Sequence, residues 1–132
     1  MNEHSFVKSV HRKLPLDIFK WKIHDTFTGG VPDALYAGSK SILFVEYKYI
    51  KKLPAKDTTL IKTSLSPLQI IWLERMNQSA SSALIIGSPD NIYIATSDFA
   101  NPICKSEFMK HKTSIDDVIT FISKSVTDTL KK

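Results

Sequence analysis

Asp33 and Glu46, thirteen positions apart, and Lys48, two beyond Glu46, are residue types whose spacing suits phosphodiester chemistry. Glu46 and Lys48 follow the apolar run Ile42-Leu43-Phe44-Val45, which reads as a buried strand. Alternate residues of a strand share a face, so Glu46 and Lys48 emerge side by side. A carboxylate on such a strand is costly unless it is paired or holds a metal. Mg²⁺ takes a few carboxylate oxygens and leaves room for water and phosphate oxygens, which two acids can supply. A lysine beside them can orient the attacking water or stabilise charge at phosphorus. The Tyr47 carbonyl, between the two side chains, adds a neutral oxygen. Glu3 extends the site if the first helix brings its N-terminal end to the sheet.

Each residue also has a plain structural reading. Asp33 suits the turn after Gly29-Gly30, and Glu3 suits the positive end of a helix. Gln69 fits a capping box as well as a place in the site. Glu46 with Lys48 can form an exposed ion pair of little worth. A glutamate directly after four apolar strand residues is the hardest of these to account for without a ligand.

The elements that must position these residues follow from periodicity. Residues 3–13 carry Phe6, Val7 and Val10 at helical spacing behind an Asn2 cap. Phe19, Trp21 and Ile23 alternate with Lys20, Lys22 and His24, the pattern of a half-buried strand. Residues 26–30 form a turn, 34–37 a short strand and 41–50 the longest strand, the three strands making an antiparallel meander. Residues 51–64 are polar and lack periodicity, which marks a functional or mobile loop. Ser66-Pro67-Leu68-Gln69 opens a helix to about Asn77, with Leu68, Ile71, Trp72 and Met76 as its buried side. Residues 83–86 and 91–96 are strands, and Ser114 caps a last helix over about 114–130 with a stripe from Ile115 to Leu130. The order helix, three strands, helix, two strands, helix implies an α/β fold: a central mixed sheet flanked by helices. One domain over residues 1–132 is expected, with its core in about 3–96.

Composition narrows the partners. The chain carries 18 Lys plus Arg against 13 Asp plus Glu, a net charge of +5, which favours a polyanion. Lys48, Lys51, Lys52, Lys56 and Lys62 fall in one window with a single acid, Asp57, so Lys51, Lys52, Lys56 and Lys62 are candidate DNA contacts. Cys104 is the only cysteine, which excludes an internal disulfide and a cysteine zinc site. No apolar run is long enough to span a bilayer, and the N-terminus lacks the pattern of a secretory signal, so a cytoplasmic setting is expected.

The ordered set Gly30-Val31-Pro32-Asp33, Val45-Glu46-Tyr47-Lys48 and Ser66-Pro67-Leu68-Gln69 resembles the PD-(D/E)XK nuclease superfamily. Within it, the set is similar to the small stand-alone VRR-NUC domains of phages and bacteria. The likeness covers about residues 3–96, with Glu3 at the family's acidic position on the first helix. It implies a restriction endonuclease-like core and Mg²⁺- or Mn²⁺-dependent cleavage of DNA leaving a 5′-phosphate. It also implies a relation to Holliday junction resolvases that act on branched DNA as homodimers. The expected site is Asp33, Glu46, Tyr47 and Glu3 for the metal, with Lys48 and Gln69 assisting. The loop between Lys48 and Ser66 is longer than the family needs, and the chain after about residue 100 has no clear counterpart there. A nickase, a flap or restriction-like nuclease, and an inactive DNA-binding module of the same fold are the alternatives.

Overall fold

The computed structural model describes residues 1–24 and 29–127. Residues 26–28 of the expected turn, and Leu130 of the last apolar stripe, lie outside them. Asn2 starts helix α1 (Glu3–Lys13) by accepting the Ser5 N–H at 2.9 Å. Pro15, two residues beyond Lys13, cannot continue the helix. Strands β1 (Phe19–Lys22), β2 (Ala34–Ala37) and β3 (Ile42–Tyr49) form an antiparallel meander. Helix α2 (Pro67–Ser79) then crosses over to β4 (Ser81–Gly87), which lies parallel to β3, and β5 (Ile92–Ala95) returns antiparallel to β4. The sheet is mixed, in the order β1-β2-β3-β4-β5, and helices flank it.

The period of two in β3 builds two cores. Leu43, Val45 and Tyr47 point to one face and pack with Phe6 and Val10 of α1 and with Val118 and Ile122 of helix α4 (Ile115–Val126). Glu46 and Lys48 point to the other face. There the residues paired with them, Leu84 and Ile86, pack with Leu73 of α2 and with Phe108. Glu46 therefore sits on an apolar floor, beneath a helix whose N-terminus it meets.

Three expectations change. Phe19 and Trp21 are exposed, because α2 packs over β3 and β4 and leaves that face of β1 uncovered. In α2 the fully buried residue is Leu73, whereas Leu68 and Ile71 are exposed. The 51–65 stretch is fastened to the later chain: Leu60 bridges Cys104, the Ile61 N–H donates to the Ile103 carbonyl at 2.8 Å, and the Ser106 N–H donates to the Asp57 carbonyl at 3.0 Å. A short helix α3 (Lys105–Lys110), absent from the sequence reading, anchors this unit through Phe108, which stacks on Tyr93 with ring centroids 5.6 Å apart.

Gly30 shows how the turn before Asp33 is held. Its φ of +82° is a left-handed conformation, and a Cβ there would lie 2.5 Å from the Leu68 backbone carbon. Gly30→Ala is expected to cost about 2–4 kcal/mol through strain and displacement of α2. Chemical denaturation checks this, and a loss below about 1 kcal/mol contradicts the packing described.

Candidate active site

The site forms where the C-terminal half of β3, the start of β2 and the N-termini of α1 and α2 meet. Strand β2 begins at Ala34, paired with Val45, so Asp33 stands at the strand entrance beside Glu46. Its Oδ2 accepts the Tyr47 backbone N–H at 2.9 Å, and its own carbonyl accepts the Ile23 N–H at 2.8 Å. Burial raises the Asp33 pKa, while the Tyr47 N–H, Lys48, Lys22 and a hydrogen bond with Glu46 oppose the rise.

Glu46 is the most constrained group. Its side chain is 3% exposed, and its Oε2 accepts from Gln69 Nε2 at 2.9 Å and lies 3.5 Å from Lys48 Nζ. The exposed ion pair of the plain reading is thus an enclosed one. Burial first, then the Asp33 charge, pushes the Glu46 pKa up to about 8, with Lys48 pulling down and Glu3 pushing further up. The contact with Asp33 is a hydrogen bond only while one carboxyl keeps its proton. With both ionised, Glu46 Oε1 is buried without any hydrogen-bond donor.

Gln69 is both cap and site residue. Its N–H donates to Ser66 Oγ at 3.1 Å, its Oε1 accepts the Ser66 N–H at 2.9 Å, and its Nε2 donates to Glu46 Oε2 at 2.9 Å. The capping box thereby fixes the rotamer that holds the carboxylate. Glu3, in the first turn of α1, is at the open side of the site. Its pKa is raised by partial burial and by Asp33, and lowered by Lys48 and Lys22.

Lys22 is a site residue that the sequence reading left as one half of an alternation. It pairs in register with Ala34, next to Asp33, and its Nζ lies 3.1 Å from His4 Nδ1. Its charge acts on both Glu3 and Asp33. The clue available in sequence was position: the last residue of the strand that must pair with the one starting after Asp33. His24 is exposed.

Tyr47 turns its ring to the far face. Its hydroxyl lies 2.6 Å from the Tyr36 hydroxyl, which lies 2.7 Å from His11 Nε2. This buried chain holds β3 from below while the Tyr47 backbone N–H serves Asp33 above. Lys51, Lys52, Lys56 and Lys62 are exposed, and among the described residues none is held in an ion pair.

A divalent cation fits this donor set. The Glu46 oxygen without a donor, beside a second carboxylate, is a position that a cation would satisfy, and the Tyr47 carbonyl belongs to the same run of chain. Among the described residues no group of three or more His, Cys, Asp or Glu is placed to hold a metal ion, so the expectation of Glu3 as a ligand beside Asp33 and Glu46 is not met: Glu3 reaches the site from the first turn of another element, α1.

The sheet order and the parallel β3–β4 pair reproduce the fold of a solved junction resolvase. The solved structure of Hjc, a Holliday junction resolvase from the archaeal hyperthermophile Archaeoglobus fulgidus, matches with a TM-score of 0.58. The match covers 91% of this chain and 97% of that one at 13% identity, so what the two share is the fold. No protein-family model matches the sequence, and no curated protein matches it.

Proposed function

We propose that the chain is a metal-dependent, structure-specific DNA endonuclease, a Holliday junction resolvase of the VRR-NUC kind that works as a homodimer. The observation that carries this reading is the buried Glu46 oxygen without a donor, set beside Asp33 and with Lys48 3.5 Å from the other Glu46 oxygen. Asp33, Glu46 and the Tyr47 carbonyl would hold Mg²⁺ or Mn²⁺, with Glu3 in support. When bound, the ion neutralises phosphate charge and lowers the pKa of water. The chain supplies the rest. The Tyr47 N–H fixes Asp33, and Gln69 fixes Glu46. Lys48 donates to a phosphate oxygen and stabilises the charge that builds there. Lys51, Lys52, Lys56 and Lys62 hold the backbone to either side.

The deciding assay incubates a four-way junction, a flap and a linear duplex with Mg²⁺, Mn²⁺ or EDTA. Symmetric nicks in the junction, leaving 5′-phosphates and absent in EDTA, are expected. Cleavage of the flap or duplex in preference moves the substrate class, and binding without cleavage under any metal leaves a DNA-binding module.

The lysine window has its own readout. Replacing Lys51, Lys52, Lys56 and Lys62 together with alanine should flatten the slope of log K against log salt by about 3–4, since each phosphate contact contributes about 0.9. An unchanged slope in a fluorescence titration removes these residues from the interface.

A further inference from the structure

We infer that the uncovered face of β1 and β2, continued by one side of α2, is where a second copy of this chain docks, packing face to face. The inference rests on the homodimer reading above and adds the surface. Register places the residues. Phe19 pairs with Ala37, which pairs with Ile42; Trp21 pairs with Leu35, which pairs with Phe44. Cross-strand partners share a face, and Ile42 and Phe44 share theirs with Glu46. These two rows therefore form one apolar surface leading to the acids, with Phe44 about 7 Å along the strand from Glu46.

Nothing in the described chain covers it. Phe19 is 62% exposed, Trp21 52% and Ile42 41%, and on α2 Leu68 is 53% and Ile71 45% exposed. Leu68 and its neighbour Trp72 lie against the turn between β1 and β2, where Trp72 Nε1 donates to the Gly29 carbonyl at 3.1 Å. The helix side and the strand face therefore adjoin. Phe19 and Trp21 alone leave about 250 Å² in water, because an aromatic side chain carries about 150–250 Å². With the three aliphatic residues the patch reaches the upper end of what a monomer shows, about 300–600 Å². It would supply the apolar centre of an interface of about 800 Å² per partner.

Charge decides the occupant. Lys20 and Lys22 of β1 point to the opposite face, in register with Tyr36 and Ala34 of the α1 and α4 core. The exposed face of the meander carries no cation at Phe19, Trp21, Leu35, Ala37, Ile42 or Phe44, so it does not suit a phosphate backbone. The two lysines also guard the β1 edge against strand addition, which leaves packing through the face. A two-fold axis there relates two identical acid sites across one interface.

The test is sedimentation of the whole chain from about 1 to 100 µM, a range that brackets ordinary dimer affinities, against a chain mass of 14.9 kDa. The wild type should sediment as a dimer. Trp21→Glu with Ile71→Glu should weaken self-association at least a hundredfold, and Lys8→Glu, on exposed α1 surface, should not. Circular dichroism monitors folding of each variant. As a second measurement, Trp21→Cys in a Cys104→Ser background should form a disulfide-linked dimer on oxidation, with Lys8→Cys as the inert control. A wild type that stays monomeric throughout overturns the inference, as does a dimer that survives the double substitution. A dimer broken by Trp21→Glu but without cleavage of any DNA keeps the surface and removes the nuclease reading.

Discussion

Glu46→Gln should give a protein that no longer cuts DNA and yet, in EDTA at pH 8, unfolds later than the wild type. The Glu46 pKa is about 8 in the folded protein against about 4.5 for an exposed glutamate. Between those values the native state keeps a proton that the unfolded chain has lost. The unfolded state is then favoured progressively as pH rises, and the penalty is complete above about pH 8. The amide cannot ionise, and its oxygen still accepts from Gln69 where Glu46 Oε2 does now. Its NH₂ also gives Asp33 a donor in place of the shared proton. A stabilisation of about 2–4 kcal/mol at pH 8 follows, vanishing near pH 4.5 where both forms are neutral. That corresponds to a Tm higher by about 5–15 °C. The same change should cut the cleavage rate by at least about 10³-fold, because a metal-holding carboxylate is gone. Added Mg²⁺ should raise the Tm of the wild type and leave that of the variant unchanged. Equal melting of the two proteins at pH 8 in EDTA would show that Glu46 is not under strain.

That strain also explains which parts of this protein were legible in its sequence. Strand β3 was, since a period of two combined with an apolar run specifies both the strand and the shared face of Glu46 and Lys48. The Ser66–Gln69 capping box and the Ser114 cap mark the starts of α2 and α4 within a residue, and periodicity places their ends less closely. The meander and the mixed sheet followed from element order. The tertiary partners of exposed-looking segments were not legible. Alternation in Phe19-Lys20-Trp21-Lys22 shows that two faces differ, but not whether anything covers the apolar one. Leu68 and Ile71 are exposed for the same reason: helical periodicity gives a stripe, and the width of the sheet beneath decides how much of it is buried. The 51–65 stretch lacks any local pattern because its order comes from bonds to residues 103–106, about fifty positions later. Helix α3 spans six residues, and its N-cap, Cys104, makes no side-chain cap bond, so the start signal was missing. Lys22 carries no motif signal in the sequence, because its neighbours come from α1 and from the entrance of β2 and no short motif includes it.

Lys48→Ala should abolish turnover and leave DNA binding within about tenfold, because the lysine acts more on the transition state than on the bound ground state. A loss of about 10³-fold in rate is the scale for one charge aimed at a developing oxyanion. The structure adds a second consequence that separates this role from simple phosphate attraction. Lys48 is the nearest cation to Glu46, 3.5 Å from its Oε2, and it lowers the Glu46 pKa against burial and Asp33. Removing it raises that pKa further, so Glu46 ionises only at higher pH and any cation needing both carboxylates binds less tightly at pH 7. The rate of the wild type should therefore climb with pH to a plateau near pH 8, and the residual rate of Lys48→Ala should still be climbing there. Metal affinity of the variant, measured by calorimetry at pH 7, should fall, and raising the pH should recover part of it. Lys48→Arg keeps the positive charge but replaces a compact ammonium by a planar fork. It should restore metal affinity more fully than rate, because holding Glu46 ionised needs only a nearby cation, while contacting the phosphate needs an ammonium in the right place. If arginine restores both equally, Lys48 serves the site through charge alone, and the direct contact with the scissile phosphate is wrong.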